Sequence, residues 1–116
     1  MDNKTQRIAA LNDQCRQCVM MPVFGKRPSK VFMTQGIAAL PPEDQIIIAA
    51  KVREYDDFSK DNNPYGERDF GAFEHKGNKI FWKIDYYDPD MHMGSEDPTD
   101  PEKTTRVLTI LLASEY

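Results

Sequence analysis

The chain has 116 residues and 13.4 kDa, with 40% hydrophobic, 10% aromatic and 29% charged residues and a formal net charge of −4. That length suits one domain spanning 1–116, and the aromatic content favours a folded chain over a disordered one. The polar start, MDNKTQRIAALNDQC, lacks the apolar core of a signal peptide, and VLTILLA is far shorter than a bilayer span, so a cytoplasmic location is expected.

The charge is unevenly spread. Residues 1–53 carry eight Lys/Arg against four Asp/Glu, residues 54–102 five against fourteen, and residues 103–116 two against one. Between Ile84 and Glu102 no Lys or Arg occurs, while Asp85, Asp88, Asp90, Glu96, Asp97, Asp100 and Glu102 all appear. Such a stretch repels nucleic acid and attracts cations or a basic protein surface.

In chain order, Ile8, Leu11, Cys15 and Cys18 recur at helical spacing, which predicts an amphipathic helix over 4–20. Pro22, Gly25 and Pro28 mark a connection, and KVFMTQGIAAL predicts a strand that Gly36 bends or ends. Pro42 at a first helical position, followed by Glu43 and Asp44, predicts a second helix over 42–57 burying Ile47, Ile48, Val52 and Tyr55. SKDNNPYGERD reads as a surface loop.

FGAFEH and NKIFWKIDYY flank Lys76-Gly77-Asn78 and predict a hairpin, with Gly77-Asn78 as its two-residue turn. Alternation then puts Phe73, Ile80, Trp82, Ile84 and Tyr86 on a core face, and Glu74, Phe81, Lys83, Asp85 and Tyr87 on the other. DPDMHMGSEDPTDPEKT predicts a long loop, and TRVLTILLASEY a last strand, with a helix starting near Pro101 as the competing assignment. The order α-β-α-β-β-β predicts an α+β fold, with two helices packed on one face of a small, mainly antiparallel sheet of three or four strands.

No cofactor or metal site is expected. Cys15 and Cys18 make only half a zinc site and read as buried thiols. In the acidic stretch Gly94 falls one place late for an EF-hand counted from Asp88, and Thr99 stands where the bidentate glutamate belongs. Glycine-rich phosphate loops, a serine nucleophile elbow and HExxH are missing as well.

RIAALND, GIAALPPED, DNNPYGERDFGAFE, FWKIDYYD and GSEDPTDPEKTTRVLTILLASEY together resemble an uncharacterised family of short bacterial proteins classed as a domain of unknown function, over roughly residues 7–116. Members resemble accessory proteins of plasmids and other mobile elements, where antagonists of host defence are frequent. The resemblance thus implies a non-catalytic inhibitor or anti-defence factor, and the charge pattern gives it a partner, a protein with a basic surface that binds nucleic acid, such as a host defence complex. The residues expected to make that contact are Asp85, Tyr87, Asp88, Asp90, Met91, Met93, Glu96, Asp97 and Asp100, with Tyr86 adding area. Two alternatives stand beside it. One is a small hydrolase-like enzyme using Glu67, Asp69, Glu74, Lys83 and Asp85 with Tyr65 or Tyr87 as proton donor. The other is a DNA-binding regulator using Lys4, Arg7, Arg16, Lys26, Arg27 and Lys30.

Overall fold

A computed structural model describes residues 3–17, 30–58 and 66–116. Helix α1 runs Asn3–Gln17, strand β1 Lys30–Met33, a single helical turn α2 Gln35–Ala38 and helix α3 Pro42–Arg53. Strands β2 (Phe70–His75) and β3 (Asn78–Tyr87) form the hairpin, and β4 (Thr105–Leu112) sits between two short 3₁₀ turns at Pro101–Lys103 and Ala113–Glu115. The last segment is the expected strand, preceded by a single 3₁₀ turn at Pro101–Lys103, and the competing helix does not form.

The sheet order is β1-β4-β3-β2. β4 pairs antiparallel with β3, and β3 with β2, whereas β1 lies parallel to β4. The fold is α+β as expected, with a mixed sheet. Among the described residues no helix is long and apolar enough to cross a membrane.

Alternation along β3 buries Ile80, Trp82 and Ile84, which face Leu112, Ile110 and Leu108 across the ladder to β4. With Cys15, Ile37, Ile48 and Val52 these side chains make one core cluster between the sheet and the helical layer. Each fully buried aliphatic side chain contributes about 1.5–3 kcal/mol relative to exposure. Trp82 is the tightest fit. A Cβ at Gly71, its cross-strand neighbour, would lie 2.2 Å from Trp82 Nε1 and 2.7 Å from Tyr55 Cζ. Glycine is required there because the indole and phenol rings, 5.5 Å apart and edge to face, fill the space above the strand.

Several expectations need correction. In α3, Ile48, Ala49 and Val52 face the core, whereas Ile47, expected inside, is 43% exposed. A run of adjacent apolar residues points round the whole helix, and packing selects one stripe. The helix ends at Arg53 rather than at 57, and Gly36 opens α2 after a strand of only four residues.

The hairpin turn is Lys76-Gly77, not Gly77-Asn78, and Asn78 pairs with His75 in the ladder. A type I′ turn needs positive φ at both central positions, and Lys76 supplies it at 51° with Gly77 at 82°. A left-handed lysine costs on the order of 1 kcal/mol. Tertiary contacts offset that cost: Lys76 Nζ pairs with Asp44 Oδ1 at 2.9 Å, and His75 Nε2 meets the same oxygen at 2.9 Å. The pairing is thereby shifted by two residues from the expected one. Both faces keep their expected composition because the side-chain period is also two.

The outer edge of β2 is covered by α3 and the residues after it. Tyr55 Oη accepts from the Ala72 N–H at 3.2 Å, and Lys51 Nζ donates to the Glu74 carbonyl at 3.2 Å. Capping of outward-facing backbone groups is how edge strands avoid unwanted pairing.

Candidate functional site

The acidic stretch after β3 folds into two stitched turns. In the first, Asp88 N–H donates to the Met93 carbonyl (2.8 Å), Ser95 N–H to Tyr86 (3.0 Å) and Met91 N–H to Asp88 (3.0 Å), while Tyr87 and Gly94 form a bridge. Pro89 supplies the fixed φ of the turn, and Met91 takes the left-handed conformation at φ 62°. Asp88 Oδ1 accepts from the His92 N–H at 2.9 Å, so this side chain shapes the loop from within. Asp90 and Met93 project outward, Met93 with 67% of its surface exposed.

In the second turn Asp97 Oδ1 accepts from Thr99 Oγ1 (2.6 Å) and Thr99 N–H (3.1 Å). Those two bonds, followed by the nearby Lys4 and Lys103 charges, hold the Asp97 carboxyl below the usual carboxylate range. Asp100 caps the 3₁₀ turn by accepting from the Glu102 N–H at 2.9 Å. Ser95 Oγ accepts from Asp97 N–H, and Thr104 Oγ1 donates to the Asp97 carbonyl at 2.8 Å.

A buried polar clasp ties this loop to the body. Arg106, on β4, donates through NH2 to the Pro98 carbonyl (2.6 Å) and through Nε to Asn12 Oδ1 (2.7 Å). Asn12 is fully buried on α1, and its amide donates to Tyr86 Oη (2.8 Å) and to the Glu67 carbonyl (2.9 Å). Tyr86 in turn donates to Glu67 Oε1 at 2.9 Å. Burial raises the Tyr86 phenol well above its ordinary value, which keeps it neutral and able to donate and accept at once. Burial also lowers Arg106, whose guanidinium lies 5.1 Å over the Tyr86 ring. On the outer side Arg7 Nε donates to the Thr99 carbonyl at 2.9 Å.

The expected contact residues thus form one continuous ordered surface segment, with differing tasks. Asp88, Asp97 and Asp100 each spend one oxygen inside the loop, Asp85 pairs with Lys83 at 3.1 Å, and Glu96 with Lys103 at 3.5 Å. Lys4 and Arg7 face Glu96 and Asp97 across an open cleft of about 570 Å³, so the anionic field is partly offset on the α1 side.

The residues of the enzymatic alternative converge only in part: Asp69 lies near enough to Glu67 and Asp85 to feel both charges, but Glu74 stands apart. Lys83 pairs with Phe70 in the hairpin and Glu74 with Lys79, four residues further along β3, so roughly 13 Å of strand separates Glu74 from the Lys83–Asp85 pair. Glu67 is committed to Tyr86, and Tyr65 lies outside the described residues. Burial, and after it the Glu67 and Asp85 charges, raise the Asp69 carboxyl, and its backbone carbonyl accepts from Ile84 N–H.

The basic set of the DNA-binding alternative is also divided. Arg16 is buried, donating to the Val52 and Tyr55 carbonyls and pairing with Asp13 at 2.7 Å. Lys26, Arg27 and Cys18 lie outside the described residues, and Cys15 belongs to the core.

A mixed four-stranded sheet backed by helices, carrying a clasped acidic loop, defines a small α+β domain. The family described as "Protein of unknown function (DUF3768)" matches residues 33–115, and the chain belongs to that family. Comparison with curated proteins and with solved structures gave no match. The matched span contains Glu67, Tyr86, the acidic loop and Arg106. Asn12 and Arg7, on α1, lie before it.

Proposed function

We propose that this protein is a non-catalytic cytoplasmic binding protein, an inhibitor or anti-defence accessory factor of a mobile element. Its partner is a protein with a basic surface of the kind that holds nucleic acid, and the contact runs through the loop 88–100 and the adjoining end of β3. The observation that carries this reading is the pre-formed acidic loop, whose hydrogen bonds are satisfied within the chain. A loop already ordered before contact avoids the entropy cost of ordering on binding. Asp88, Asp90 and Glu96 supply the field that steers a basic partner, and Met91, Met93 and Tyr87 supply contact area.

The test is affinity capture from host lysate with the wild-type chain and with Asp88→Asn/Asp90→Asn/Glu96→Gln, washed at two salt concentrations. A partner whose capture weakens with salt and is lost with the triple variant supports the proposal. The same partner retained by the variant at equal yield overturns it.

A further inference from the structure

Away from the acidic loop, the C-terminal end of α3 meets the edge of β2. A groove of about 380 Å³ opens there, lined by Lys51, Glu54, Tyr55, Asp56, Ala72 and Phe73 among others. Its walls are apolar and aromatic: the Phe73 ring, the Tyr55 ring and the Ala72 methyl. Its rim carries the exposed carboxylates of Glu54, whose Oε1 lies 3.4 Å from Arg53 Nη2, and Asp56.

We propose that this groove receives an arginine side chain from an extended basic segment of a protein partner. Three features favour that occupant. A planar guanidinium can stack on an aromatic wall while pairing with rim carboxylates, a combination that neither an apolar side chain nor an anion could satisfy. The chain already places its own cation at the same wall, since Lys51 Nζ lies 5.6 Å from the Phe73 ring centroid. Backbone pairing with β2 is obstructed, because Tyr55 Oη and Lys51 Nζ occupy the Ala72 N–H and the Glu74 carbonyl. Entry is therefore by a side chain and not by an added strand.

The site also has a built-in reporter. Trp82 is the single tryptophan, and its ring stands edge to face 5.5 Å from Tyr55, one wall of the groove. Occupancy should reach the indole through that ring.

The experiment uses the full chain labelled with ¹⁵N and a capped six-residue peptide containing two arginines, with a control peptide carrying citrulline in their place. The expected result is saturable shifts at the Tyr55, Ala72 and Phe73 amides and at the Trp82 indole, absent with the citrulline peptide. Glu54→Gln/Asp56→Asn should weaken binding roughly tenfold, equivalent to about 1.4 kcal/mol. Asp88→Asn/Asp90→Asn should leave these shifts unchanged, which separates this site from the loop of the proposed function. Lack of saturable shifts at millimolar peptide, equal binding of the citrulline peptide, or shifts centred on residues 88–100 would each overturn the assignment.

Discussion

Replacing Asn12 by alanine removes the centre of the clasp. Three hydrogen bonds disappear: amide donations to Tyr86 Oη and the Glu67 carbonyl, and the bond accepted from Arg106 Nε. Two of these are neutral, worth about 1 kcal/mol each, and the one to the guanidinium contributes about 1.5–3 kcal/mol. The sum is about 4 kcal/mol, a large share of the roughly 5–15 kcal/mol that holds a domain of this size. Urea unfolding followed by Trp82 fluorescence measures it, and a midpoint loss of about 2 M corresponds at an m-value near 2 kcal/mol/M. A double-mutant cycle with Arg106→Met should return a coupling of about 1 kcal/mol or more, because both changes strike one bond. In NMR spectra the disturbance should extend to the Pro98–Asp100 loop that Arg106 holds. A loss below about 1 kcal/mol, or strict additivity with Arg106→Met, would refute the clasp as an energetic unit.

Gly71→Ala should destabilise by about 1–3 kcal/mol through overpacking against Trp82 and Tyr55, read as a lower urea midpoint, whereas an unchanged midpoint would mean the ring pair yields freely. Gly77→Ala places a Cβ in open space but at φ 82°, so its cost of about 1 kcal/mol is conformational alone and should appear without any change in Trp82 emission. Glu115 accepts from Thr34 Oγ1, Gly36 N–H and Leu112 N–H, which hold its carboxyl below the ordinary value. Its folded value being the lower one, its stabilisation is complete above the ordinary glutamate value of 4.5 and is lost as pH falls through the depressed folded value. Glu115→Gln should therefore flatten the acid limb of stability measured against pH, and an unaltered limb would contradict the assignment. Asp69 has the opposite sign: burial raises it, its ionised form is disfavoured on folding, and Asp69→Asn should raise the urea midpoint at neutral pH while leaving acid stability nearly unchanged.

The parts of the fold legible in the sequence are those governed by a short period. Alternation by two puts Ile80, Trp82 and Ile84 on the buried face of β3, and the proline and carboxylates at 42–44 mark the start of α3. Where several side chains from distant segments decide, the sequence carries no local signal. The hairpin turn moved one residue because Asp44, far away on α3, captures His75 and Lys76. The clasp escaped notice for the same reason: Asn12, Glu67, Tyr86 and Arg106 come from separate segments with no spacing in common. Arg106 is the one charged residue in TRVLTILL, and it is the hint that a buried partner awaits it. The acidic loop was visible as composition, but composition does not reveal that Asp88, Asp97 and Asp100 turn one oxygen inward to build the loop itself.

In the function proposed above, the acidic loop is a finished surface before any partner arrives. ¹⁵N relaxation on the protein alone tests this, at the amides of Met91, His92, Ser95, Asp97, Thr99 and Asp100. Order parameters of about 0.85, equal to those of β3 and β4, are expected. Values below about 0.6 across these amides would contradict it, since the loop would then acquire its shape only on contact.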